Sequence, residues 1–501
     1  MNKQVTRLAV AGLVLLSALI IATTYWQTFA VAGLADRQDN ALARVAQFTV
    51  DRGKIYTERG RVLLATNVKK KVDGQTYYFR KYPNGYLAPH VIGYSTQSRS
   101  RAGLERSQND YLTGANGSFS SVTQRELDKL KGVTLRGNDL ALTLLPRAQQ
   151  TAVRQLAGKC GGAVALDPRT GKVLALASSP TFNPNAIERN YNSISRIRTG
   201  GCKFAAPLLN RATQGLYPPG STFKVVTAAA ALDSGAFKPT SEFVDPGYCE
   251  EYGKRVSNAG NPESPETFGR VTLAQGLQHS INSVFCNIGK QIGAGKILEY
   301  AKRFGFYATP DLELPADAQS PSGLYKRHKL FDPSRPAYQV DPGRLAFGQE
   351  RMLASPIQMA MVASTVANHG VLMQPHLIDS VVSPDGKVVH KVKPQKVRRA
   401  ISRRTADELT QMMQSVVTGG TATNLASSGL DLAGKTGTAE TGVNGKYDTW
   451  FIAFAPAKDP KVAVAVALEN QTGFGATTAG PIAKSIVQAV LGQRSNNGGS
   501  G

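Results

Sequence analysis

The chain has 501 residues, and Lys+Arg 59 against Asp+Glu 35 gives a net charge of +24. A hydrophobic content of 42% with 19% charged residues excludes wholesale disorder and leaves room for two or three packed domains. So basic a surface favours polyanions (nucleic acid, anionic lipid or acidic polymer), and the compartment decides among them.

Residues 8–26 carry no charge and are long enough to cross a bilayer as a helix. Lys3 and Arg7 precede them and the next charge is Asp36, so the positive-inside rule puts residues 1–7 in the cytoplasm and the rest outside. The competing reading is a cleaved signal peptide with a small-residue site at Ala30-Val31-Ala32. The length of the apolar run favours an uncleaved anchor over 8–31. Either way the chain is exported, and nucleic acid falls away as a partner. Cys160, Cys202, Cys249 and Cys286 then lie where disulfides form, and all three pairings are open. Neither Cys-x-x-Cys nor His-Glu-x-x-His spacing occurs, so no metal or other cofactor is expected. His279, beside Ser280, reads as a structural neighbour rather than a base.

Residues 32–138 are polar and basic and read as a small support domain. Two short strands around a turn are expected in 53–65, another short strand at 90–94, and a short helix over 102–114 ended by glycine. A boundary near Gly137-Asn138-Asp139 opens a second domain over 139–492. It starts with a helix over 146–157 and a hairpin over 161–178, turned by Asp167-Pro-Arg-Thr-Gly171. Residues 212–235 hold one helix, and further helices are expected over 273–292 with Gly293 just past the end, and over 355–367, the last strongly amphipathic. Thr405 with Glu408 reads as a capping box opening a helix through Val416. Valine alternating with charge from Lys387 suggests an edge strand guarded by lysine. Strands over 432–438, 449–455 and 462–468, a helix over 481–491 and a flexible tail at 493–501 close the chain. This order predicts an α+β fold: an antiparallel sheet whose first and last strands meet, covered by helices.

One stretch carries a chemical signal. Gly215-Leu-Tyr-Pro-Pro-Gly-Ser-Thr-Phe-Lys224 reads as a turn feeding a helix that begins at Ser221 and is buried along Val225-Val-Thr-Ala-Ala-Ala-Ala-Leu232. Lys224 falls one turn on, on the same face. A hydroxyl beside an amine in a dry place makes a nucleophile. Alone, the pair is as readily a capped helix with a surface lysine. Two further motifs, Ser280-Ile-Asn282 and Lys435-Thr-Gly-Thr438, follow in chain order and decide the matter. Ser-x-x-Lys, Ser-x-Asn and Lys-Thr-Gly together resemble the signature of penicillin-binding proteins and class A β-lactamases, with Ile281 where the signature often has aspartate.

The chemistry of each part can be stated. Ser221 supplies the hydroxyl that attacks a carbonyl carbon. Lys224 accepts its proton if burial or a nearby cation keeps the amine neutral, and Lys435 can be that cation. Ser280 can bridge the two amines and pass a proton to the leaving amine. Asn282 can hold Lys224 and the substrate backbone. In an extended strand Thr436 and Thr438 share one face and can bind a terminal carboxylate, while Gly437 lets the substrate backbone come close. The amides of Ser221 and Thr438 are the expected oxyanion hole.

The exported part also resembles the class B penicillin-binding proteins. Arg52-Gly-Lys-Ile-Tyr-Thr-Glu-Arg-Gly-Arg-Val-Leu-Leu-Ala65 is similar to that family's N-terminal signature, with glutamate displacing its usual Asp-Arg order. His90-Val-Ile-Gly93, Gly103-Leu-Glu105, Asn183-Pro-Asn185, Gly348-Gln349 and Trp450-Phe451 match further landmarks. The compact N-terminal part is most similar to the actinobacterial penicillin-binding protein A subgroup. The resemblance implies the family's transpeptidase fold with an all-helical subdomain. It implies a monofunctional D,D-transpeptidase that crosslinks peptidoglycan stem peptides through a Ser221 acyl-enzyme, and β-lactams that acylate the same serine. A D,D-carboxypeptidase and a catalytically silent penicillin sensor or scaffold are the alternatives. No Glu-x-x-Leu-Asn follows Ser280, Glu313-Leu-Pro being the nearest, which argues against rapid hydrolysis. Only about 100 residues separate the anchor from the transpeptidase part, too few for a polymerase domain. A membrane glycosyltransferase partner is therefore implied.

Overall fold

Two sheets organise the molecule. The computed structural model describes residues 2–25, 48–97, 100–115, 135–197, 201–202, 204–251, 253–258, 260–261 and 264–498. Asn2–Tyr25 is a single helix with its side chains exposed from residue 3 onward. Within it Lys3–Tyr25 is, among the described residues, the one helix long and apolar enough to cross a membrane. The cleavage site considered at 30–32 lies outside the described residues.

The first sheet has six strands in the order Val388–Lys391, Ile378–Val382, Asp139–Leu142, Ile55–Tyr56, Leu63–Val72, Gln75–Lys81. It takes strands from both sides of position 138. Val388–Lys391 lies at its edge with every residue exposed, as its alternating valines and charges predict. Glu105 is buried nearby. Its carboxylate pairs with Arg52 at 3.0 Å and Arg80 at 2.6 Å, which gives the Gly-Leu-Glu landmark a structural reason. Residues 90–94 are not a strand. Pro89–Ile92 is one buried helical turn, because Pro89 is preset for the first helical position. The helix expected over 102–114 is broken at Gln108 into Gly103–Ser107 and Asn109–Thr113, and ends at left-handed Gly114.

The second sheet is antiparallel, in the order Ala433–Glu440, Tyr447–Ala455, Val462–Gln471, Gly161–Leu166, Val173–Ser179. The first hairpin of this region thus meets its last strand, as expected. Gly161–Leu166 and Val173–Ser179 are buried at every residue and Tyr447–Ala455 from Thr449 onward, so both faces are covered. Ala479–Gly498 and Pro146–Leu156 pack on the sheet and on each other, and Pro356–Ala367 packs on its middle strands. The closing helix extends into the stretch read as a tail.

Three helical readings need correction. Pro356–Ala367 is buried on every side rather than amphipathic. Two of its polar side chains find backbone acceptors in the core, Gln358 Nε2 donating to Phe304 O at 2.8 Å and Thr365 Oγ1 to Met361 O at 2.8 Å. Arg403–Gly419 begins at Ser402, whose side chain accepts from the Thr405 amide, while the Thr405 hydroxyl donates to Asp233. The capping box instead joins Thr272 and Gln275, opening Leu273–Gln278. Finally, 273–292 is two helices, Leu273–Gln278 and Asn282–Arg303, and Gly293 kinks the second rather than ending it.

Candidate active site

The Ser221 turn is built by its neighbours. Pro218 O accepts from Trp450 Nε1 at 2.9 Å, and Trp450, fully buried, stacks edge-on against Tyr217. Gly220 takes φ 50°, a region that favours glycine, and a side chain there would crowd Thr438 O at 3.1 Å. Ser221 then lies in a single 3₁₀ turn, Gly220–Phe223, and the α-helix proper, Lys224–Asp233, starts at the lysine. The serine is therefore on the turn that feeds the helix rather than its first α-helical residue. It is half-buried, while 224–232 are all buried.

Lys224 is fully buried. Its Nζ donates to Ser280 O at 2.6 Å and Asn282 Oδ1 at 2.7 Å, and approaches Ser280 Oγ at 3.4 Å. The Phe285 ring centroid lies 5.4 Å away. Burial first, and the Lys435 charge second, push its ammonium well below the ordinary lysine range. Lys435 is equally buried, and burial brings it down to about 7. Its Nζ donates to Ser280 Oγ at 2.9 Å and Thr436 O at 3.1 Å. Ser280 thus touches both amines from the bend between the two helices. Its φ of 61° is strained for a non-glycine residue and is held by the bonds around it.

Lys435, Thr436, Gly437 and Thr438 lie on the edge strand Ala433–Glu440, as their spacing predicts. Gly437 is explained differently from the sequence reading. A Cβ there would meet Pro219 O, Thr222 Cγ2 and Trp450 Cβ, each at 2.9 Å, so glycine lets the strand pack onto the serine turn. Thr438 Oγ1 accepts from the Gly475 amide at 3.3 Å. Sequence reasoning missed Thr421, which follows Arg403–Gly419 and shares a 2.7 Å hydrogen bond with Thr436 Oγ1. Nothing local marks it, since a lone threonine after two glycines fits any helix end.

Three expectations are resolved elsewhere. The cysteines pair as Cys160–Cys202 and Cys249–Cys286. The His279 ring stacks on Phe268 at 5.0 Å. Glu313 accepts hydrogen bonds from the amides of Leu377 and Ile378, in and beside the six-stranded sheet.

Known proteins resemble this chain over most of its length. Residues 161–488 match the penicillin binding protein transpeptidase domain, and residues 52–140 the penicillin binding protein A dimerisation domain. The chain is 34% identical to the peptidoglycan D,D-transpeptidase PbpA of Mycolicibacterium smegmatis, over 98% of this chain and 99% of that protein. Its counterpart in Mycobacterium tuberculosis is 32% identical over the same shares. Among solved structures, the penicillin G acyl-enzyme of M. tuberculosis penicillin-binding protein A superposes with a TM-score of 0.75 at 31% identity, over 88% of this chain and 100% of that one. A D,D-transpeptidase domain from Eggerthella lenta gives 0.72 at 34% identity, over 90% and 99%.

Proposed function

This chain belongs to the penicillin-binding protein transpeptidase family, and we propose that Ser221 carries out its acyl transfer. The protein is a serine D,D-transpeptidase of peptidoglycan that binds β-lactams. The observation that carries the residue assignment is the meeting of two buried lysines on one hydroxyl, Ser280 Oγ.

In the proposed reaction Ser221 Oγ attacks the carbonyl carbon between the two terminal D-alanines, and its proton passes to neutral Lys224. The amides of Ser221 and Thr438 hold the developing oxyanion. Collapse breaks the C–N bond, and the proton travels from Lys224 through Ser280 to the departing D-alanine nitrogen. The free amine of a second stem peptide attacks the ester, loses its proton along the reverse path, and restores the serine hydroxyl. Lys435, Thr436 and Thr438 hold the terminal carboxylate, Gly437 seats their strand on the serine turn, and Asn282 holds the substrate backbone.

We place the catalytic part outside the membrane. Lys3 and Arg7 in the first turns of the apolar helix support this, as do two disulfides, which persist in oxidising compartments. We divide the exported chain near 138, into a support domain over 32–138 and a transpeptidase domain over 139–492. A membrane glycosyltransferase partner would supply the glycan strand, since 32–138 is too short for a polymerase. The test is fluorescent penicillin followed by mapping of the labelled peptide. Label is expected on Ser221 and lost in Ser221→Ala. Label that survives the substitution refutes the assignment.

A further inference from the structure

The helix that presents Asn282 begins without a side-chain cap of its own, since Ile281 precedes it. Its cap comes from a segment more than twenty residues earlier. Asn258 Oδ1 accepts from the amide of Asn282 at 2.9 Å and of Ser283 at 3.2 Å, two of the donors a helix start leaves open. Asn258 is held in turn by Asp245, which is 2% exposed. The Asp245 carboxylate accepts from Asn258 Nδ2 at 2.9 and 3.0 Å, from Ser283 Oγ at 2.5 Å, and from the amides of Gly247 and Phe268 at 2.9 Å. A carboxylate this deep is tolerable only with such saturation.

The hairpin between Asp245 and Asn258, Tyr248–Glu251 with Lys254–Ser257, is fastened to the same helix at further points, among them Lys290, which pairs with Glu251 at 2.9 Å. Ser257 O accepts from Asn282 Nδ2 at 2.8 Å. The Cys249–Cys286 disulfide joins it one helical turn beyond Asn282. With Nδ2 bound to a carbonyl, the asparagine amide can turn only its oxygen to Lys224, and it does so at 2.7 Å.

We propose that Asn258, held by Asp245, and the Cys249–Cys286 disulfide form one clamp that aims Asn282 Oδ1 at Lys224, which makes them positioning residues for acyl transfer. The inference rests on the reading above that Lys224 activates Ser221. The groups facing Lys224 are Lys435, Ser280, Asn282 and the Phe285 ring. Of these the Asn282 oxygen is the one the clamp controls. An acceptor there favours the ammonium, so a loosened clamp lowers the pH at which the amine becomes free, and misaligns it as well.

The test follows acylation by fluorescent penicillin across pH in the full-length protein in detergent. The variants are Asn258→Ala, Asp245→Asn, and Cys249→Ser combined with Cys286→Ser. Asn258→Ala is expected to slow acylation about tenfold and to move its acid limb down by about one pH unit. The nearly isosteric Asp245→Asn and the paired serine variant shift both in the same direction by less, and either carries the test if Asn258→Ala does not fold. A wild-type limb in every variant overturns the clamp, whether or not the rates fall. Failure of the wild-type protein to label at Ser221 would overturn the underlying assignment instead.

Discussion

Replacing Lys435 with methionine tests the electrostatic core of the site. Lys224 Nζ and Lys435 Nζ lie 3.4 and 2.9 Å from the same Ser280 oxygen. They are therefore at most about 6 Å apart, and two ammonium charges at that distance and an effective dielectric of about 20 repel by ~3 kcal/mol. The lysine pair therefore loses its protons in two separated steps. The reactive form is the singly protonated one, with Lys224 neutral and Lys435 charged. Acylation of the wild type should be bell-shaped in pH, with its alkaline limb opening at about 7, where Lys435 titrates. Lys435→Met removes the charge that adds to burial in depressing Lys224, so the acid limb should move up. The alkaline limb should disappear. The ceiling should fall about 10²–10³-fold, as for loss of one transition-state donor. Stopped-flow acylation from pH 5 to 10 measures all three. An acid limb that stays where the wild type has it would show that burial alone keeps Lys224 neutral, and would refute the paired-lysine argument.

Gly437→Ala would press a methyl group against Pro219, Thr222 and Trp450 at 2.9 Å. It should cost about 1–3 kcal/mol, lowering the melting temperature and slowing acylation together; acylation at the wild-type rate would contradict the packing role. Glu105→Gln would leave Arg52 and Arg80 buried without a counter-charge, a loss of about 3–5 kcal/mol. The first thermal transition should drop while penicillin still labels Ser221, and an unchanged melting curve would contradict the pairing. Burial raises the Glu105 carboxyl, but Arg80 and Arg52 outweigh it and the net shift is downward. Its contribution is then complete above the usual glutamate range and is lost as pH falls through the lowered folded value. The gap in stability between wild type and Glu105→Gln should therefore close on acidification.

The chain's chemistry was written in its residue types. A serine and lysine one turn apart, a second serine with an asparagine, and a Lys-Thr-Gly strand named the reacting groups because acyl transfer needs a nucleophile, a base and a cation. The order of hairpin, helices and strands gave the sheet, since period-two apolar runs have few ways to bury their faces. Local readings failed where long-range contacts outweighed local preference. The pattern of Pro356–Ala367 reads as amphipathic, and only its neighbours on every side show that it is buried all round. The bend at Ser280 carries no glycine to announce it. The pairing of four cysteines, the place of Thr421 beside Thr436, and the cap that Asn258 lends to Asn282 were decided by tertiary structure alone. Each joins atoms that are remote along the chain, and a sequence states which donors and acceptors exist while only the folded packing determines which of them come within hydrogen-bonding reach.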